Sequence, residues 1–222
     1  VLINPNNPTG AVYGREVLEA IARIADEHQL IVFADEIYDQ MLYDGAQHVP
    51  MATLVHDTLC ATFGGLSKIY RACGYRVGWV AFSGDREHAA DYLHAVELLA
   101  SLRLCANVPG QWAVQTALGG HQSIQQLTAP GGRLYQSRQA IMAGVERSKY
   151  LEMKAPEGAM YGFPGVSTDM LPEFHDRRFA LEVLEKKHVL IAPGSSFNVS
   201  YADHFRLTTL PDDREIEGVF GR

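Results

Sequence analysis

The sequence is poor in the features that staple, anchor or metallate a chain. Cysteine occurs three times in 222 residues, as Cys60, Cys73 and Cys105. The count is odd and no pair forms C-x-x-C, which argues against a disulfide framework or a zinc ribbon and favours a reducing compartment. Histidine occurs nine times without H-E-x-x-H spacing, so no metal site is expected. No apolar run approaches the ~20 residues of a membrane span; the longest strand-like stretch is Leu30 to Ala34, and no membrane partner is expected. Lys and Arg total 19 against 26 Asp and Glu, a formal charge of -7. With no basic cluster to displace counterions from phosphates, nucleic acid is not expected as a partner. A basic, then apolar, then small-residue leader is also missing, and a cytoplasmic location is expected. Ser195–Ser196 makes no G-x-S-x-G elbow, and Gly64–Gly65 with Lys68 makes no Walker A loop, which leaves serine hydrolase and P-loop chemistry without support.

What is present is ordinary globular material, 47% hydrophobic and 20% charged. Val1–Ile3 reads as a buried strand, and Asn4 to Gly10 as a loop dense in Asn, Pro and Gly. Arg15 to Gln29 has helical periodicity, with Val17, Leu18, Ile21, Ile24 and Ala25 on one face. Leu30 to Ala34 follows as a continuous apolar strand, completing the strand–helix–strand unit of a parallel sheet covered by helices. Strands are expected at Thr58–Phe63 and Val77–Phe82, and helices at Glu87–Leu104 and Gln111–Leu118. Beyond Pro130–Gly131–Gly132 the pattern changes to a helix from Arg133 to Lys149. Short strands follow around Ala159–Phe163, Val189–Ile191 and Phe205–Thr209, with a helix near Arg178–Lys187 among them. The fold class is therefore α/β: part of a three-layer αβα large domain with a mostly parallel sheet (residues 1–132), then a smaller α+β domain (133–222). A buried-type strand at the very start, with no Met, reads as a fragment of a longer protein.

Asn4–Gly10, Asp35–Tyr38 and Gly64–Lys68 sit at or beyond the carboxyl ends of strands, the edge where open α/β sheets bind ligands. Asn7, Asp35, Tyr38 and Lys68 could thus converge although far apart in sequence. Taken singly each has a bland use: Asp35 as a helix cap, Tyr38 as packing, Lys68 as a solvated charge, Asn7 as turn support before Pro8.

Together the motifs Asn4-Pro5-Asn6-Asn7-Pro8-Thr9-Gly10, Ala34-Asp35-Glu36-Ile37-Tyr38, Gly65-Leu66-Ser67-Lys68 and Gly74-Tyr75-Arg76-Val77-Gly78-Trp79 resemble the class I/II aminotransferases of the fold-type-I pyridoxal phosphate family. The resemblance runs through essentially the whole chain. Leu102–Pro109, Gly158–Tyr161 and Pro193–Asn198 look closest to alanine aminotransferases. It implies pyridoxal 5'-phosphate as cofactor, held through a Schiff base on Lys68, which then moves the substrate Cα proton. It also implies that Asp35 pairs with the pyridine nitrogen, and that Asn7 and Tyr38 hydrogen-bond the ring's phenolic oxygen. Arg76 would bind the phosphate, with Ser67 nearby. Arg206, in Asp203-His204-Phe205-Arg206-Leu207, would grip the substrate α-carboxylate beside Asn7; its ordinary reading is a surface ion pair on an edge strand.

The implied partners are an amino acid and a 2-oxo acid, with alanine and 2-oxoglutarate foremost, and a second copy of the protein in a homodimer. An N-terminal part, with a glycine-rich phosphate turn and an aromatic stacked on the ring, would lie upstream, and the isolated 222 residues are expected to bind the cofactor poorly or not at all. The alternatives are another amino-acid aminotransferase or β-lyase of the same fold, an aminotransferase-like cofactor-sensing domain of a transcription regulator, or an inactive remnant. One departure from the family pattern is Gly65, where many members carry a phosphate-binding serine. Cys73, close in sequence to Lys68 and Arg76, is either a reactive thiol or a small packed residue.

Overall fold

The computed structural model describes residues 1–221. The chain forms two compact units. The first comprises Val1–Pro5, Val12–Leu42 and Gln47–Gln125; the second comprises Asn6–Ala11, Tyr43–Ala46 and Gln126–Arg222.

In the first unit, strands β1 (Leu2–Ile3), β2 (Val32–Asp35), β3 (Leu59–Gly65) and β4 (Gly78–Gly84) form one sheet in that order. β1, β2 and β3 are parallel and β4 returns antiparallel to β3. The register Ile3↔Asp35↔Phe63 aligns the carboxyl ends of the parallel strands, so the chain leaves at Asn4, Glu36 and Leu66 on one edge. Helix α1 (Arg15–Glu27) makes the crossover from β1 to β2, the connection a parallel pair requires.

The buried stripe of α1 is Leu18, Ala22 and Ala25, spaced four and three apart as one helical face demands. It packs with Val32, Ala34, Met51, Val55 and Cys60. Val17 and Ile24, expected on that face, are 50% and 53% exposed, because the stripe is centred one step round the helix. The following strand also starts later than expected, at Val32, with Leu30 51% exposed. The helix terminus explains this. Gln29 is left-handed (φ 51), and Leu30 N–H turns back to Ala25 O at 2.8 Å, a Schellman closure that takes Leu30 out of the strand. Helices α2 (Ala90–Arg103) and α3 (Val108–Gly119) follow β4. α2 buries none of its residues, and Leu98, Leu99 and Leu102 stand open. The short α4 (Ile124–Thr128) comes next along the chain.

The second unit holds α5 (Arg133–Arg147), β5 (Leu151–Glu152), β6 (Tyr161–Gly162), β7 (Gly165–Val166), α6 (Asp176–Lys187), β8 (Ala192–Pro193), β9 (Phe205–Thr208) and α7 (Asp213–Phe220). β6, β9 and β8 form an antiparallel sheet in that order, and β5 pairs with β7. Ala140, Ile141 and Val145 of α5 pack on Ile216 of α7, and Val166, Ile191 and Phe205 form a second cluster. The strand expected at Val189–Ile191 forms instead at Ala192–Pro193. α6 closes at His188 in the left-handed region (φ 55), and Ile191 is taken into the core, so pairing starts at Ala192↔Arg206. The architecture is the expected one, a helix-connected, mostly parallel sheet and a smaller α+β body.

Candidate active site

Asp35 is the last residue of β2. Its Oδ1 accepts from Ile37 N at 3.2 Å, and its Oδ2 has no partner among the described residues. The turn beyond it is closed by Asp39 N to Glu36 O (3.0 Å) and Met41 N to Tyr38 O (2.8 Å), and it buries Tyr38 to 3% exposure. Glu36 locks the turn from beneath. Its buried carboxylate accepts from Met51 N at 2.8 Å and lies 3.2 Å from His48 Nε2. On the other flank Asn4 N donates to Asp35 O at 3.0 Å, while Asn4 Oδ1 accepts from Tyr13 N at 3.0 Å. That fixes the amide, so Asn4 Nδ2 is the atom facing His48 Nδ1, at 3.5 Å. Burial pushes the Asp39 carboxyl above its ordinary range, partly offset by His48.

Lys68 lies in the bend after β3. The bend is pinned by Leu66 N to Val77 O (3.0 Å), Ala72 N to Leu66 O (2.9 Å) and Arg71 N to Lys68 O (3.0 Å). Leu66 and Ile69, 1% and 4% exposed, anchor it on either side. Between these anchors Ser67 and Lys68 are half-buried, and neither side chain has a hydrogen bond or ion pair with a described residue. No carboxylate among the described residues pairs with the Lys68 amine, which leaves it available to another group. Arg76 is exposed, left-handed (φ 52), and donates from Nη1 to Cys73 O at 2.8 Å. Cys73 is exposed and unpaired. At Gly65 a Cβ would stand 3.0 Å from Val77 O and 3.2 Å from Gly78 Cα, so the serine common at this position would press on two backbone atoms. Asp35, Tyr38, Ser67, Lys68 and Arg76 all belong to the first unit, and the ends of its adjacent parallel strands β2 and β3 carry Asp35 and the Ser67–Lys68 bend on one edge.

Asn7 and Arg206 belong to the second unit, where they meet: Arg206 Nη1 donates to Asn7 Oδ1 at 2.9 Å. Arg206 leaves β9 with its guanidinium 4.5 Å from the Tyr161 ring centre and 4.9 Å from that of Phe197. Both contacts favour a cation over an aromatic face. Arg206 has no carboxylate partner among the described residues, so the surface ion pair is excluded there. Tyr161 and Phe197 were not legible as neighbours of this arginine, because the β6–β9 pairing and the turn at Gly194–Phe197 that deliver them are long-range. The locking pair Glu36–His48 was missed for the same reason. No group of His, Cys, Asp and Glu among the described residues could hold a metal, and no described helix is long and apolar enough to cross a membrane.

The chain is 48% identical over 217 residues to "Glutamate-pyruvate aminotransferase AlaA" of Escherichia coli strain K12, covering 98% of this chain and 54% of that protein. It is 45% identical over 222 residues to "Alanine aminotransferase" of Mycobacterium bovis, covering 100% of this chain and 52% of that one. The chain thus spans about half the length of the curated relatives it matches. Among solved structures, an aminotransferase from Escherichia coli superposes with a TM-score of 0.96 at 47% identity over 99% of this chain and 55% of that one. An alanine aminotransferase from Pyrococcus furiosus gives 0.91 at 35% identity, over 99% and 55%. The family model of aminotransferase class I and II matches residues 1–222, and the chain belongs to that family.

Proposed function

We propose that the whole protein is a pyridoxal phosphate-dependent transaminase that takes the amino group of alanine and gives it to 2-oxoglutarate, yielding pyruvate and glutamate. The observation that carries the reading is the partnerless, half-buried Lys68 following β3, with the open Oδ2 of Asp35 at the end of adjacent β2. The donor set suits the cofactor: an amine for its aldehyde, a carboxylate for its pyridine nitrogen, a phenol at Tyr38, and Arg76 and Ser67 for its phosphate. When bound, pyridoxal phosphate supplies a ring that accepts the electron pair left at the substrate Cα.

The chain's own residues do the rest. Lys68 Nζ holds the cofactor and carries the proton that leaves Cα. Asp35 keeps the pyridine nitrogen protonated by placing a negative charge beside it. Arg206, held by Asn7, fixes the substrate α-carboxylate and with it the bond that breaks. Asn7 and Tyr38 are each suited to a hydrogen bond with the ring's phenolic oxygen. We further propose that residues 1–132 contribute to a cofactor-binding large domain and 133–222 form the small domain of a cytoplasmic homodimer. The names of the relatives support alanine as donor.

The test is turnover by the full-length protein with each of several amino acids and 2-oxoglutarate. Pyruvate and glutamate should appear together in equal amounts with alanine. Turnover with aromatic or branched donors but not with alanine would remove the substrate assignment.

A further inference from the structure

A second arginine lies in the same unit as the contact between Arg206 and Asn7. Arg138 of α5 is 2% exposed. Its Nε donates to Pro156 O at 2.7 Å, and its Nη2 lies 2.7 Å from Asp44 Oδ2. Its guanidinium lies 5.0 Å from the centre of the Tyr43 ring. Its Nη1 is buried without a hydrogen-bond partner among the described residues.

The groups that Arg138 holds share one target. Tyr43 N donates to Glu157 O at 2.9 Å, and Tyr43 Oη donates to Ala159 O at 3.0 Å. Burial lifts the Tyr43 phenol to about 12, so it remains a donor at any working pH. Segment 156–159 is therefore gripped from one side by Arg138, Tyr43 and, through Arg138, Asp44.

On its other side the segment grips the Asn7 loop. Glu157 N and Gly158 N both donate to Gly10 O, at 2.9 and 2.8 Å. A side chain at Gly10 would run into Pro156, and the backbone there is left-handed (φ 71), so only glycine lets the loop lie this close. The loop is itself stiff, with Gly10 N to Asn6 O at 2.9 Å, Asn6 N to Ala11 O at 2.8 Å and Thr9 Oγ1 to Asn6 Oδ1 at 2.7 Å. A stiff loop fixed at Gly10 has a fixed Asn7, and the Asn7 amide oxygen receives Arg206.

We propose that Arg138, with Tyr43 and Asp44, is a positioning residue for the substrate carboxylate: through segment 156–159 and Gly10 it sets where Asn7 holds the Arg206 guanidinium. The inference rests on the carboxylate role proposed for Arg206. Neither Arg138 nor Asp44 touches the substrate in this scheme.

The test uses the full-length, cofactor-loaded protein with Asp44→Asn, Arg138→Lys, Arg206→Lys and the doubles that combine each with Arg206→Lys. Asp44→Asn alters a half-exposed carboxylate and keeps the test open should Arg138→Lys not fold. Asp44→Asn and Arg138→Lys should each raise KM for alanine and for 2-oxoglutarate on the order of ten-fold, with kcat changed less than about two-fold. The inhibition constant of an unreactive carboxylate should rise in parallel. In the Arg206→Lys background the same changes should add little, as expected for residues acting through one contact. Unchanged KM in Asp44→Asn and in folded Arg138→Lys would overturn the proposal. So would increases that persist in full in the doubles, since those would mark a merely structural ion pair. If Arg206→Lys alone leaves KM unchanged, the carboxylate grip itself is wrong and this proposal falls with it.

Discussion

At the residue scale, the proposed chemistry turns on Lys68, Asp35 and Arg206, none of which has an ion pair with a described residue. Arg206 has two aromatic faces and one amide but no carboxylate among the described residues. A charge-assisted hydrogen bond contributes about 1.5–3 kcal/mol, so Arg206→Lys in the full-length protein should raise KM for both substrates by roughly 10- to 150-fold. Equal losses for amino acid and oxo acid are expected, because both carry the α-carboxylate; a loss confined to one would point to a side-chain contact instead. Asp35→Ala should lower kcat by on the order of 10²–10³-fold, as removal of a preorganised charge does elsewhere, and steady-state kinetics of the variant checks it. The family resemblance of four motifs singled out Asp35 and Lys68 in the sequence, and with them Arg206. It did not reveal the side chains that hold them, since Glu36–His48 and Arg138–Asp44 are contacts between distant segments with no local pattern.

Element boundaries show where periodicity misleads. A helical face of Val17, Leu18, Ile21, Ile24 and Ala25 suits α1 by spacing, but the buried residues are Leu18, Ala25 and Ala22, the last outside that face. Leu18→Ala should therefore destabilise the protein by about 2–5 kcal/mol, whereas Ile24→Ala should stay within about 0.5 kcal/mol. Urea unfolding of both variants checks this, and equal losses would restore the face expected from the sequence.

The start of α6 makes a pH-dependent prediction. Burial raises the pKa of Asp176, but hydrogen bonds from Ser195 and from Arg177 N, with His175 nearby, lower it more, and the net position is below the ordinary 3.8. A carboxyl depressed on folding stabilises the protein above its unfolded pKa, and that stability is lost as pH falls through the folded pKa. Stability of the parent protein should accordingly fall more steeply than that of Asp176→Asn as pH drops below about 4. Parallel curves from acid titrations followed by circular dichroism would remove Asp176 as a contributor.

For the whole molecule, a chain that spans about half of its relatives carries Lys68, Asp35 and Arg206, the residues proposed for the imine, the pyridine nitrogen and the substrate carboxylate, on two compact units. The fold class was legible because β1, α1 and β2 form a strand–helix–strand unit whose periods change cleanly; the antiparallel return of β4 was not, since strand direction depends on where a loop turns rather than on its composition. The central claim is that Lys68 bears the cofactor. Borohydride reduction of the loaded full-length protein, followed by digestion and mass spectrometry, should find the reduced pyridoxal phosphate adduct on the peptide containing Lys68, and Lys68→Ala should lose both adduct and turnover. An adduct on another lysine, or turnover retained by Lys68→Ala, would contradict the account.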